Sequence, residues 1–241
     1  MTFLEAYHAF VMQTLKEVQE VNEAAIQEGA AIMAQAELAH QRIYTFGTGH
    51  SHMIGQDLYA RAGGYAKFYP IDEIELTLAT HPTKSTHIER CGAYADVLEH
   101  IYHIHEGDVI IVTSNSGRNP LVVEFALRCK QKGAKLIAIT SLTHSKTIES
   151  RHESGLRLFE VADIVLDNKA PYGDAGIAIQ EVRMGPVSTM TGCYLAQSLA
   201  GSMVELLQKA GVETPVFRSS NMDGADEYNA KLFDAYVIKK I

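Results

Sequence analysis

From residue 41 onward the chain alternates short β-branched or aromatic runs with helical patterns, and one of those runs is apolar without a break. Val109-Ile110-Ile111-Val112 offers no polar side chain to a solvent-facing side. A strand wetted on one face alternates apolar and polar residues. A continuous apolar strand is buried on both faces, as when helices cover a parallel sheet above and below. Strand signals fall at 42–46, 66–69, 109–113, 135–140 and 163–166, with helical patterns at 51–62, 86–102, 119–132 and 144–150 between them. The expectation is an α/β fold: a doubly wound three-layer sandwich around a five-stranded parallel sheet. Gly63-Gly64 and Gly133 read as helix C-caps.

The flanks carry different patterns. Residues 2–40 read as a long N-terminal helical extension, with apolar positions Leu4, Tyr7, Val11, Leu15, Val18, Val21, Ala25, Ile32 and Ala36, and with Gly29 as a point of division into two helices. A face that long packs on a partner surface, such as another subunit. Residues 168–187, with Pro171, Gly173, Gly176, Gly185 and Pro186, read as loop. Residues 188–210 read as a long helix opened by Ser188-Thr189, 214–222 as extended or turn, and 223–238 as a short helix.

Composition excludes several classes. Hydrophobic residues make up 46% and charged residues 21%, an ordinary globular balance. No apolar run approaches the ~20 residues of a membrane span. The 29 acidic against 21 basic residues leave a formal charge of −8, the opposite of a general nucleic-acid surface. An anionic ligand then has to be held by local donors. Cys91, Cys129 and Cys193 are odd in number and far apart, which points to buried free thiols in a reducing compartment. With no basic and apolar leader at Met1-Thr2-Phe3-Leu4-Glu5, a cytoplasmic location is expected.

Two motifs are placed to do chemistry. Gly47-Thr48-Gly49-His50-Ser51 follows the first strand and precedes a helix. Glycines allow a sharp turn and a close approach to a ligand, and a helix start offers unpaired N–H groups to an anion. It lacks both the third glycine of a dinucleotide fingerprint and the lysine of a P-loop, and a plain tight turn reads the same way. Thr113-Ser114-Asn115-Ser116-Gly117-Arg118-Asn119-Pro120 follows the most apolar strand, with Pro120 suited to a first helical turn. A run of hydroxyls and amides there resembles a phosphate cradle. An N-cap with a solvated loop explains one serine of it, but not the whole cluster. In a doubly wound sheet, ligands bind at the carboxyl ends of the strands where the order reverses. In the flavodoxin-like order 2-1-3-4-5 that point lies between the first and third strands, which are the ones these motifs follow. Ser141, Thr143, His144, Ser145 and Lys146, and the segment Pro186-Val187-Ser188-Thr189, are further hydroxyl-rich helix starts, for which capping and ligand contact are equally open.

Taken together, Gly47 to Ser51, Ser114-Asn115-Ser116-Gly117 and Ser188-Thr189 resemble the sugar isomerase (SIS) domain family of phosphosugar-binding proteins, over about residues 41–210. Ser150-Arg151-His152-Glu153-Ser154-Gly155, Ala162-Asp163-Ile164-Val165-Leu166-Asp167-Asn168, Gly173-Asp174-Ala175 and Pro215-Val216-Phe217-Arg218-Ser219-Ser220-Asn221 are more closely similar to the UPF0309 group within it. The resemblance implies a helical extension at 1–40, a phosphosugar-binding domain at 41–210 and a C-terminal extension at 211–241. It implies that Ser51, Ser114 and Ser116, with main-chain N–H groups around Asn115 and Gly117, hold the phosphate. Asn119 stands where the family often has Thr or Ser and can still donate, and Ser188 and Thr189 complete the binding set. It further implies a homodimer or tetramer with sites near subunit interfaces. No cofactor, metal, nucleic acid or membrane is called for.

The departures concern catalysis. Relatives in this family, phosphoheptose isomerases and muramic acid phosphate etherases, place a catalytic Glu in the helix after the first motif, where this chain has Arg61. The isomerase histidine of the late helix has no counterpart in Tyr194-Leu195-Ala196-Gln197-Ser198-Leu199. An aldose–ketose isomerisation still needs a group that moves a proton between adjacent carbons. The candidates are Glu89, near the etherase's second acid, and His50 and His52, which flank Ser51; polar residues at a helix start are the alternative for the histidines. Glu73, Glu75, Asp174, Glu181, His81, His87 and His144 are further acids and histidines. His100, His103 and His105 read as solvated histidines at a helix end, not a metal site. Arg151-His152 reads as a loop that closes over the ligand or pairs with acids, and Arg61 as a phosphate contact or a surface ion pair. The leading expectation is a phosphosugar isomerase. The alternatives are a non-catalytic phosphosugar sensor and a phosphosugar lyase or etherase.

Overall fold

A computed structural model describes residues 1–81 and 83–237. Five strands, β1 (Ile43–Gly47), β2 (Phe68–Ile71), β3 (Val109–Thr113), β4 (Lys135–Thr140) and β5 (Ile164–Asp167), form one parallel sheet in the order β2-β1-β3-β4-β5. Ile43 pairs with both Phe68 and Val109, Val109 with Lys135, and Ile137 with Ile164. Alternate strand residues feed two cores. Ile43, Val109, Ile111, Ile137, Ile139 and Leu166 face α1 (Phe3–Leu38), α2 (His52–Leu58) and α8 (Ser188–Lys209). Tyr44, Phe46, Ile110, Val112, Leu136 and Ala138 face α4 (Tyr94–Tyr102) and α5 (Pro120–Gln131). The unbroken apolar run at 109–112 has this cause: each of its residues belongs to one core or the other.

The first helix is continuous across Gly29, so the expected division into two helices is corrected. Glycine costs a helix interior about 1 kcal/mol against alanine. Here a Cβ would lie 2.9 Å from Leu199 Cδ2 and 3.4 Å from Ile137 Cδ1, so its absence lets α1 lie close on α8 and the sheet. Thr2 and Glu5 start α1 with a capping box. Farther along, the buried Asn22 donates from Nδ2 to the Asp167 carbonyl at 2.9 Å and accepts the Asp167 amide on Oδ1 at 2.8 Å. A side-chain amide thereby completes the open edge of β5.

Helix α8 runs from the carboxyl edge of the sheet towards its amino edge. Gly192 lies against Ile54 and Ile139, while Leu199, two turns on, lies against Gly29 beside Ile137. Its first turn therefore stands at the same edge as the loops that leave β1, β3 and β4.

Other expectations need correction. The helix expected at 51–62 stops at Leu58, and Ala60 adopts φ +50°. Gly63-Gly64 therefore caps no helix and instead exchanges backbone hydrogen bonds with Phe217. Gly133, at φ +84°, does follow α5. The helix expected at 86–102 is interrupted, giving α3 (Lys84–Ile88) and α4, with Cys91 exposed in the break rather than buried in a helix. The helix at 144–150 is one turn, α6 (Leu142–Ser145), and a further turn, α7 (Leu158–Val161), precedes β5. The loop at 168–187 contains an antiparallel hairpin of β6 (Ile177–Ile179) and β7 (Val182–Met184), joined at Gln180 with φ +50°. It escapes notice because Gln-Glu is no hairpin-turn signal. The last helix, α9 (Ala225–Leu232), gives way to a π turn at Phe233–Val237; residue 238 of the expected 223–238 helix lies outside the described residues. Among the described residues no helix is long and apolar enough to cross a membrane.

Candidate functional site

The first loop is built by geometry that glycine alone permits. Strands β1 and β3 stay in register to Gly47 and Thr113, so the loops after them leave the sheet side by side, about 5 Å apart. A Cβ on Gly47 would sit 2.6 Å from the Ser51 carbonyl oxygen, and Gly49 adopts φ +56°. The chain then makes a single 3-10 turn at Gly49–Ser51 and enters α2. The Ser51 amide closes that turn on the Thr48 carbonyl at 3.0 Å, and its hydroxyl has no hydrogen-bond partner among the described residues.

The second loop divides into groups used inside the fold and groups left over. Ser114 is buried and its Oγ accepts the Gly117 amide at 3.2 Å. The Asn115 carbonyl accepts from the Ser141 amide and from Thr140 Oγ1, and its Oδ1 accepts from Asn168 Nδ2 at 3.0 Å. These side chains hold the loop's shape. The Ser116 hydroxyl and the amides of Asn115, Ser116 and Arg118 are left without a partner among the described residues. Gly117 adopts φ +60°, and a Cβ there would lie 3.1 Å from Leu158 Cβ. The α5 N-terminus is partly taken, since the Leu121 amide donates to the Glu89 carbonyl at 3.1 Å.

Glu89 links the first loop to the start of α5. Thr48 Oγ1 donates to its Oε2 at 2.7 Å. Burial pushes its carboxyl above the ordinary range, against the opposing pull of the Thr48 hydrogen bond and the charges of Arg90 and Arg151. Arg151 in turn donates from Nη1 to Asn119 Oδ1 at 3.1 Å, and Asn119 is buried. Beside Arg151 opens a cavity of about 360 Å³ lined by Gly92, Pro120, Glu124, Arg128 and His152 among others.

The remaining candidates separate. Ser141 caps α6 through the His144 amide and donates to the Ala170 carbonyl. At the start of α8, Asp174 accepts the amides of Val187 and Ser188 on Oδ1 and the Ser188 hydroxyl on Oδ2 at 2.6 Å, so an internal carboxylate holds that helix end. Thr189 is half-buried and its hydroxyl has no partner among the described residues. His50 is exposed, and the His52 ring is bound to the Gly49 carbonyl. His144 lies tilted against the Tyr172 ring, and burial together with Arg118 lowers its pKa. Glu73 accepts from Tyr102, Glu75 pairs with Lys84, and Glu181 is exposed in the hairpin turn. Arg61 pairs with Asp57 of α2 at the surface. Among the described residues no group of His, Cys, Asp and Glu is arranged to hold a metal.

Three contacts lie outside what sequence reading identified: Thr48 on Glu89, Arg151 on Asn119, and Asp174 on the start of α8. Each joins side chains 14 to 41 positions apart in the chain, and no local pattern marks such pairs.

Comparisons with known proteins follow the same lines. A family model described as SIS domain matches residues 6–141. A UPF0309 protein of Halalkalibacterium halodurans is 47% identical over 233 residues, covering 96% of each chain. A UPF0309 protein of Oceanobacillus iheyensis is 38% identical over 239 residues, covering 98% of this chain and 97% of the other. Among solved structures, a phosphoheptose isomerase from Neisseria gonorrhoeae is similar with a TM-score of 0.56 at 17% identity, over 84% of this chain and 97% of that one. The Vibrio vulnificus NanR protein complexed with ManNAc-6P has a TM-score of 0.55 at 15% identity, over 97% of this chain and 69% of the other. At those identities the likeness is one of fold.

Proposed function

The chain belongs to the SIS domain family and, within it, to the UPF0309 group, and from that premise we propose that it binds a phosphorylated sugar or amino sugar and isomerises it between aldose and ketose. The observation that carries this reading is the half-buried Glu89, its carboxyl held by Thr48 of the first loop and its carbonyl by the Leu121 amide at the start of the helix that follows the second. In the proposed site Ser51, Ser114, Asn115, Ser116, Gly117 and Asn119 take the phosphate, with Ser188 and Thr189 near the sugar. The free amides of Asn115, Ser116 and Arg118 and the free hydroxyls of Ser51 and Ser116 support the first part of that set. The Asp174 carboxylate on Ser188 makes Thr189 the more available of the last pair.

Glu89 then acts as the base. Its carboxylate takes the proton from C2 of the open-chain aldose phosphate, the C–H electrons form the C1–C2 double bond, and the C1 carbonyl oxygen takes a proton from water as the enediol forms. Glu89 then returns its proton to C1 while the C2 hydroxyl gives its own proton back to water and becomes a carbonyl, so protons and electrons balance. A carboxyl raised by burial is a stronger base than an exposed one, which suits this step. His50 and His52 stand next to Ser51 and are the proposed partners for ring opening.

The test is a panel of hexose and amino-sugar phosphates, read by calorimetry and by exchange of the C2 hydrogen with deuterated water. Wild type binds and exchanges, Glu89→Gln binds without exchange, and Ser116→Ala binds weakly. If no phosphosugar binds wild type, the proposal fails. The absence of a histidine between Tyr194 and Leu199 supports a second reading, a non-catalytic phosphosugar sensor. Binding without exchange by wild type would select it.

We also take residues 41–210 as the binding domain, with 1–40 and 211–241 packed on it; residues 238–241 lie outside the described part of the last. Exposed Leu4, Met12 and Val21 on α1, with Val182 and Met184 on the hairpin, support a homodimer or tetramer, which sedimentation equilibrium tests. A cytoplasmic location suits three free cysteines.

A further inference from the structure

Arg151 belongs to a segment strapped to the protein at several points. Its amide donates to the Arg118 carbonyl at 2.9 Å. The next side chain, His152, is 7% exposed and sets Nε2 at 2.9 Å from Glu124 Oε2 on α5. Arg157 anchors the far end through the carbonyls of Ser145 and Ile148 at 3.1 and 3.2 Å. The Arg151 guanidinium is thus delivered to one place, Asn119 Oδ1.

Asn119 occupies the N-cap position of α5, yet its side chain makes no capping hydrogen bond. A guanidinium donates and never accepts, so the atom of Asn119 that faces Arg151 is its oxygen. The Nδ2 group is therefore turned the other way and has no partner among the described residues. It ends a segment in which the amides of Asn115, Ser116 and Arg118 are also unpartnered. An untethered side-chain amide can turn either end outward, and its oxygen repels an anion where its nitrogen binds one.

We infer that Arg151 is a positioning residue: by holding Asn119 Oδ1, it fixes the side-chain amide so that the phosphate loop presents a donor. The inference rests on the phosphate reading above and deepens it, since it names what makes the asparagine present its nitrogen and not its oxygen. The ligand this arrangement favours is a phosphate monoester dianion. Serine at the same position has no wrong end to present, because a hydroxyl rotates to donate.

That difference defines the test. Inorganic phosphate is titrated calorimetrically into wild type, Arg151→Met, Arg151→Lys, Asn119→Ser and the double variant Arg151→Met with Asn119→Ser, each checked for an unchanged melting curve. Arg151→Met, which cannot donate, is expected to lose about tenfold in affinity, the scale of one hydrogen bond to a charged group. Arg151→Lys, which still donates, recovers most of it. Asn119→Ser sets a second baseline, and adding Arg151→Met to it costs nothing more. An equal loss from Arg151→Met in both backgrounds means that Arg151 touches the phosphate itself and overturns the inference. No loss in either background also overturns it, leaving Arg151 a plain strap. Wild type that takes no phosphate removes the reading beneath, and the inference with it.

Discussion

Replacing Thr48 by valine deletes one hydroxyl from the site and keeps the shape of the side chain. Thr48 is 7% exposed and its Oγ1 donates to Glu89 Oε2 over 2.7 Å. A hydrogen bond to a charged group contributes ~1.5–3 kcal/mol, and one to a neutral group ~0.5–1.5 kcal/mol. Burial raises the Glu89 carboxyl, so the folded state holds that proton more tightly than the unfolded chain does. Its charge is therefore a penalty on folding that appears as pH rises through the ordinary carboxylate range and is fully present above the folded pKa. The Thr48 bond offsets part of that penalty. Losing it should cost more at pH 8, with Glu89 ionised, than near pH 4, with the carboxyl mostly protonated. A chain of this size loses ~2–4 °C in Tm per kcal/mol, so Thr48→Val should melt roughly 3–12 °C lower at pH 8 and roughly 1–6 °C lower near pH 4. Thr48→Ser, which keeps the hydroxyl, should recover most of the difference. Calorimetric melts at the two pH values decide it. A loss that is absent, equal at both, or larger in acid would refute the placement of Glu89 as a half-buried acid held by Thr48.

Asn22→Leu strands a buried amide and carbonyl of Asp167 at the edge of β5. At ~1–3 kcal/mol for each unsatisfied group it should lower stability by roughly 2–6 kcal/mol, read from urea denaturation; a loss under 1 kcal/mol would show that water replaces the asparagine. Asp174→Ala removes the carboxylate at the start of α8 and should cost ~0.5–2 kcal/mol, as lost N-caps do, while freeing Ser188. Unchanged melting in Asp174→Ala would count against that cap. Mass spectrometry after brief maleimide treatment should find Cys91 labelled first, Cys193 slowly and Cys129 only on unfolding, because burial pushes the last two thiols up to about 11 and about 12. Fast labelling of Cys129 would contradict the packing of α5.

The sheet was legible because strand burial leaves a mark on every residue. Val109 to Val112 feed both cores, and a run with no polar residue has few other homes. The two loops were legible for a related reason: glycine at positive φ is a local necessity of such tight turns, and a cluster of hydroxyls stands out in the sequence itself. Gly29 misled for the opposite reason. A glycine in a helical pattern looks like a break, and only the nearness of Leu199 shows it to be a packing choice. Cys91 misled for the converse reason: Gly92 beside it does stand in an interruption, between α3 and α4, although the pattern around it runs on as for one helix.

Periodicity and residue type by themselves determined the layers, the strand directions and which loops crowd with donors, since each of those follows from a few neighbouring residues meeting water or the core. Which of those donors are spent inside the fold was decided in three dimensions. Ser114 and Asn115 turn inward, Ser188 is held by Asp174, and Glu89 is raised by burial under Thr48. Hydrogen bonds saturate, and a carboxyl senses its surroundings over only a few ångströms, so the groups left free for a ligand emerge once distant segments have chosen their partners.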